Sequence, residues 1–224
     1  MRCSSNTNDI SSAHVEEDLS VKSDLSRLME ERNLDALVVS GPAHGNPAMY
    51  YMTNGASLTR GYVVQRRHEE PMLLCSPMER DEAVASGLAV IGLNKYDFIG
   101  ILREKEDRLS ATIELYRRVF ADLAVSGRVG FYGRADQGRA WILLNALDTQ
   151  LENITVCGDF EVSLIDEARA TKEQDEAERI QEIGRLTSRI MQRTIDFLRS
   201  HEVGDEMLLQ PDGTPLTIGR VHQE

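Results

Sequence analysis

The chain has 224 residues, 41% of them hydrophobic and 28% charged, enough for one well-cored domain of about 150 residues and an additional piece. Its formal net charge is −12. A field of that sign repels phosphate backbones, which excludes nucleic acid and anionic membrane surfaces as partners. No apolar run reaches the roughly 18 residues that a membrane-spanning helix needs. Residues 1–20 are polar and lack the hydrophobic stretch of a secretory signal, so 1–19 is expected to be a disordered tail. Of Cys3, Cys75 and Cys157 none is within CxxC reach of another. Cys75 and Cys157 end the apolar runs MLLC and ITVC, where buried, reduced thiols are expected; that fits a cytoplasmic protein.

Val21, Leu25, Leu28 and Met29 recur at i, i+4, i+7 and i+8, one face of a helix that Asn33 ends. Asp35–Ser40 (DALVVS) reads as a short buried strand. Gly41–Ser57, with two Pro and three Gly, reads as a loop or a pair of turns around a short apolar stretch. GYVVQ (Gly61–Gln65) and PMLLC (Pro71–Cys75) form a hairpin across the polar residues 66–70. Ser76 caps a short helix over Met78–Ser86, and Leu88–Gly92 is another strand. Leu109, Ile113, Tyr116, Phe120 and Leu123 make a helical stripe that Gly127 stops. Arg128–Gly133 is a strand, Trp141–Leu147 lies in a helix, and Asn153–Gly158 is the last strand of this region. Strands alternating with helices imply a layered α/β domain, and the hairpin makes its sheet mixed. Val38, Leu73, Val129 and Val156 are expected in its core.

From Ala168 the pattern changes to one long amphipathic helix, with Ala177, Ile180, Ile183, Leu186, Ile190, Ile195 and Leu198 on one face. Gly204 closes this segment, and 211–224 holds a turn and the start of a further helix. Residues 166–224 are expected to open a second domain that this chain does not complete.

Motifs with their own chemistry are absent. The histidines (His14, His44, His68, His201 and His222) have no two members at metal-ligand spacing along a helix or strand, and surface positions are expected for them. There is no GxxxxGK[ST], GxGxxG or GxSxG. The glycines of 127–138 fall before and after a strand rather than at the opening of a helix, so they are not a dinucleotide fingerprint. By itself the sequence presents no catalytic residue and no metal ligand.

The order of the pieces resembles the creatinase/prolidase/aminopeptidase P metallopeptidases over residues 20–200. RLMEERNLDALVVS (Arg27–Ser40) followed by NPAMYYMTNG (Asn46–Gly55) looks like that family's opening helix, strand and "N-x-x-Y-L-T-G" loop. Met52 stands where Leu is usual, and Asn54 intervenes before Gly55. RVGFYG (Arg128–Gly133) is similar to the family's "rIGve" strand. Glu167–Met191 resembles its linker, with Arg169, Lys172, Glu178 and Ile180 near the expected places.

The resemblance implies a creatinase-like, non-catalytic amino-terminal α/β domain over 20–165. It implies that 166–224 is the beginning of an incomplete "pita-bread" α+β catalytic domain. In the family that domain holds two divalent metal ions (manganese, cobalt or zinc) through two Asp, one His and two Glu, none of which maps onto a residue here. The family's substrates are peptides or small compounds containing proline, its amino-terminal domain roofs the cleft, and a homodimer is implied. The loop residues Asn46, Tyr50, Tyr51 and Asn54 are the candidates for a cleft or interface surface, against the alternative that one tyrosine packs in the core and the loop only connects. The chain alone is expected to be inactive. Two other readings remain open: a free-standing binding or regulatory module derived from this domain, and an unrelated α/β enzyme with a dispersed site.

Overall fold

In the computed structural model, residues 24–172 and 174–223 are described, Asp175 without its side chain, and the chain divides into two units between Ala170 and Thr171. In the first unit a single sheet is built from β1 (Ala36–Gly41), β2 (Gly61–Arg66), β3 (Met72–Cys75), β4 (Ala89–Gly92), β5 (Gly127–Gly133) and β6 (Ile154–Cys157). Their order is β4-β3-β2-β1-β5-β6. Only β2 runs antiparallel to its neighbours; the pairs β1/β5, β3/β4 and β5/β6 are parallel. The mixed, layered α/β fold read from the sequence is thus the observed one.

Side chains alternate across a strand with a period of two, and here both faces are apolar. Leu37, Val39, Val63, Leu73 and Cys75 point into one core cluster. Ala36, Val38, Val64, Leu74 and Val129 point into the other. The first face is covered by α1 (Asp24–Glu31), α2 (Pro47–Met52), α3 (Arg80–Ala85) and α7 (Leu164–Ala170). The second is covered by α4 (Phe98–Glu104), α5 (Arg108–Asp122) and α6 (Gln137–Gln150). An edge-to-face chain of Tyr62, Tyr116 and Phe120, with Phe131 beside it, fills the second layer. Asp35 secures the start of β1: its carboxylate accepts from the Arg128 amide at 2.9 Å and from the Arg67 guanidinium at 2.7 Å.

Several expectations are corrected. Val38, Leu73 and Val129 are fully buried, but Val156 is only half-buried, because β6 is an edge strand. For the same reason Cys157 is half-buried, whereas Cys75 is buried as expected. The segment 41–57 is not all loop: Asn46 caps α2 with Pro47 at its first position. α5 ends before Gly127. The Val125 amide returns to the Phe120 carbonyl and the Ala124 amide to that of Ala121, with Ala124 at φ 50°. That is a Schellman closure with alanine in the left-handed position, and Gly127 instead opens β5. α4 had no counterpart in the expectations; its apolar run is too short to show a periodic face, and Asp97 caps it. Val21, His14, Cys3 and the expected tail lie outside the described residues.

The helix expected from 168 to 199 is two helices. α7 ends at Ala170, Thr171 and Lys172 are not helical, and α8 spans Gln174–Arg199. Thr171 is β-branched and its hydroxyl competes for backbone groups, which disfavours a continuous helix there. In the second unit a two-stranded hairpin, β7 (Glu202–Val203) and β8 (Leu208–Leu209), follows α8, and α9 (Ile218–Val221) follows a turn. The hairpin was not expected; its strands are too short to show alternation. Ile180, Ile183, Leu186, Ile190 and Ile195 are exposed and Leu198 is half-buried.

Val129→Asp is expected to unfold the first unit. An unpaired buried charge costs several kcal/mol against a total stability of about 5–15 kcal/mol. Circular dichroism melting checks this; a variant that melts with the parent would refute the placement of Val129.

Candidate functional site

The parallel strands β1 and β5 end side by side at Gly41 and Gly133. In sheets of this kind the crevice beyond the carboxyl ends of the strands is where ligands bind. Both glycines have φ 121°, a backbone region closed to other residues. A Cβ on Gly41 would lie 2.9 Å from the Asn46 amide nitrogen and 3.2 Å from the Arg134 carbonyl. The turn after β1 is therefore drawn tightly against the end of β5.

Asn46 is the peg of this turn. It is 2% exposed. Its Nδ2 donates to the Ser40 carbonyl at 3.0 Å, and its Oδ1 accepts from the Met49 amide at 3.3 Å. One side chain thus satisfies the strand it leaves and caps the helix it enters. Met49 and Met52 drop from α2 into the first core cluster. Thr53 is buried and its hydroxyl donates to the Met49 carbonyl at 2.7 Å. Asn54, exposed and at φ 51°, donates from Nδ2 to the Ser86 carbonyl at 2.8 Å. Arg134 donates to the Gly45 carbonyl at 2.9 Å across the crevice.

The two tyrosines separate. Tyr51 is half-buried against the first core cluster, and its hydroxyl donates to the Ala168 carbonyl at 3.4 Å. Tyr50 is 62% exposed, its ring lying over Gly55. Of the four candidates, Asn46 and Tyr51 hold the fold, Asn54 is exposed but tied to the Ser86 carbonyl, and Tyr50 presents the surface.

A second constellation was not foreseen. Tyr132 donates to Asp159 Oδ2 at 3.0 Å, and that oxygen also accepts from the Leu164 amide at 2.8 Å. Arg32 reaches Glu167 at 2.6 Å and Asp159 at 3.5 Å. Burial, with the Asp159 charge adding to it, pushes the Tyr132 phenol well above its usual pKa. The hydrogen bond to Glu167 raises that of Arg32 in spite of desolvation. Tyr132 therefore stays a neutral donor and Arg32 a cation. The network ties the end of α1, β5 and α7 together. Its members are far apart in sequence and lie on no shared periodic face, so nothing in the spacing signals them.

Among the described residues no three of His, Cys, Asp and Glu are placed to hold a metal ion. His44, His68 and His222 are exposed as expected, whereas His201 is half-buried, edge-on to the Phe197 ring at 4.5 Å. The described residues do not fit the two-metal site that the family resemblance implies. A depression of about 450 Å³ lined by Arg117, Phe120, Gln150, Asn153 and Ile154 lies at the amino-terminal ends of β5 and β6, away from the Asn46 turn.

Asn46→Ala is expected to lower stability by about 1–3 kcal/mol, because a cap is lost and the Ser40 carbonyl loses its partner. Tyr50→Ala is expected to stay within about 0.5 kcal/mol of the parent, as exposed substitutions do. Denaturant unfolding of both variants checks the division between peg and surface. Equal losses would overturn it.

No protein-family model matches the chain, and no curated protein matches it in sequence. Solved structures do match. A prolidase from Thermococcus sibiricus aligns with 92% of this chain and 49% of its own, at 9% identity and TM-score 0.52. An X-Pro aminopeptidase from Thermotoga maritima aligns with 80% of this chain and 44% of its own, at 14% identity and TM-score 0.51. The N-terminal domain of an Xaa-Pro dipeptidase from Lactobacillus brevis is also matched, at 13% identity and TM-score 0.41, over 66% of this chain and all of that one. The chain spans less than half the length of the first two enzymes. The likeness read from the motifs is thereby borne out as a likeness of architecture: this chain has a fold that recurs in prolidase and X-Pro aminopeptidase structures.

Proposed function

We propose that this chain is the amino-terminal, non-catalytic portion of an Xaa-Pro peptidase of the prolidase and aminopeptidase P kind. The observation that carries the reading is the shared fold over 80% and 92% of the chain with two enzymes about twice its length. The order of the motifs at 27–40, 46–55, 128–133 and 167–191 supports it independently. In this reading the first unit covers the substrate cleft and takes part in homodimer formation, and the Asn46–Asn54 turn faces the cleft or the neighbouring subunit. Tyr50 suits that place, since an exposed aromatic ring with a polar tip makes contact area at low entropic cost. Substrates are peptides or small compounds with proline beside the scissile bond. The two divalent ions, manganese, cobalt or zinc, belong to residues outside this chain, and the setting is cytoplasmic. Neither nucleic acid nor a membrane is a partner, in keeping with the net charge of −12. Among the described residues no helix is long and apolar enough to cross a membrane.

The chain by itself is expected to release no proline from Xaa-Pro dipeptides in the presence of manganese. Metal-dependent turnover above a no-protein control would overturn its non-catalytic role. The peptidase reading also expects the coding sequence downstream of Glu224 to supply two Asp, a His and two Glu in that order. A stop codon there would overturn this reading in favour of a free-standing module.

A further inference from the structure

α2 ends on a pair of backbone hydrogen bonds. The Asn54 amide donates to the Tyr51 carbonyl at 3.3 Å, and the Gly55 amide donates to the Tyr50 carbonyl at 2.9 Å. Asn54 takes the left-handed position of this Schellman closure at φ 51°, and Gly55 follows it at φ 82°. The Asn54 side chain is committed as well, its Nδ2 donating to the Ser86 carbonyl at 2.8 Å. Asn54 is nonetheless exposed, so water reaches it.

Asparagine followed by glycine is a chemically unstable pair. The backbone nitrogen of Gly55 can attack the side-chain carbonyl carbon of Asn54. A new C–N bond forms, the bond to the side-chain nitrogen breaks, and ammonia leaves with the proton that Gly55 gives up. Water then opens the resulting succinimide at either carbonyl, leaving aspartate or isoaspartate at position 54. Glycine suits the attack because no side chain shields its nitrogen. In this fold both reacting groups are held elsewhere, the nitrogen by the Tyr50 carbonyl and the side chain by the Ser86 carbonyl. The ring closes only when both bonds are broken, which means when the end of α2 opens.

We infer, from the α2 cap alone and independently of the peptidase reading, that Asn54 is a deamidation site that the folded cap holds closed and that local opening of α2 releases. A helix of six residues opens at lower cost than the whole unit unfolds. Two neighbours supply the contrast. Asn33, at φ 53°, ends α1 with the same two bonds, from its own amide to the Glu30 carbonyl and from the Leu34 amide to the Met29 carbonyl. There the branched, buried side chain of Leu34 crowds the attacking nitrogen. Asn46 precedes Pro47, whose nitrogen has no proton to give up. Conversion at position 54 is one-way in effect. A carboxylate cannot donate to the Ser86 carbonyl, so the tie from α2 to the end of α3 is lost. Isoaspartate also adds a carbon atom to the backbone at the left-handed position.

The test is to hold the 224-residue chain at mildly alkaline pH, in native buffer and in concentrated guanidinium chloride, and to follow position 54 by mass spectrometry. Trypsin releases residues 33–60 as one peptide that carries Asn33, Asn46 and Asn54, so two references travel with the site. In denaturant Asn54 is expected to convert ahead of both. In native buffer it is expected to convert at least about tenfold more slowly than in denaturant. Asn46→Ala removes the cap at the other end of α2 and is expected to speed conversion severalfold in native buffer, because the rate follows the population of the open form. Ile113→Val thins the opposite core cluster and is expected to convert at the parent's rate. Far-ultraviolet circular dichroism confirms that both variants are folded. Equal rates for the folded and the denatured parent overturn the inference, as does a denatured chain in which Asn54 converts no faster than Asn33. It is also overturned if Asn46→Ala brings no acceleration, or if both substitutions accelerate conversion equally, since the route would then be unfolding of the whole unit.

Discussion

The constraint from which the rest of the architecture follows is that β1 is buried on every side. It pairs antiparallel with β2 and parallel with β5, so its backbone groups are committed to the sheet. Leu37 and Val39 enter one core and Ala36 and Val38 the other. A strand with two apolar faces needs a helical layer on each, and the two sets of helices are that requirement met. A register slip of one residue would exchange the two cores, whose partners differ in size. Asp35 guards against it by receiving the Arg128 amide and the Arg67 guanidinium at the strand's first turn.

The surface at the other end of β1 inherits this rigidity. Gly41 and Gly133 let β1 and β5 finish in contact, and Asn46 uses both ends of its amide to lock the following turn. Tyr50 is displayed by a helix whose other side chains, Met49 and Met52, are anchored in the core. An exposed ring held on a fixed base loses little entropy on contact. The Arg32, Tyr132, Asp159 and Glu167 network does similar work on α7, adding charge and hydrogen bonds to a helix whose Leu164, Ile165 and Ala168 are already buried in the first core cluster.

The second unit obeys a different logic. In the first unit apolar faces meet one another, and exposed large side chains such as Trp141 and Phe160 are scattered. On α8 the apolar residues are gathered into one stripe and are exposed together. Local propensity keeps such a helix formed; what it faces depends on a second surface.

Period and punctuation in the sequence determined most of the elements. Apolar runs of four to six residues between turn formers marked the strands, because a strand buried on both faces has no polar positions to interrupt it. The stripes of α5 and α8 and the stop at Asn33 were legible for the same local reason: a helix face and a left-handed cap are written within a few residues. Asn46 followed by Pro47 is also a readable helix start, but the six residues of α2 are too few for a periodic face, so the spacing there reads as a loop or a pair of turns. Only the tertiary structure decided which tyrosine turns inward, since Tyr50 and Tyr51 are chemically alike and differ only in the side of α2 they occupy. It alone decided that Val156 and Cys157 lie at a sheet edge, because strand order is not local. It alone brought Arg32, Tyr132, Asp159 and Glu167 together from four separate segments. Those contacts depend on the path of the chain through space, and no spacing along the sequence encodes them.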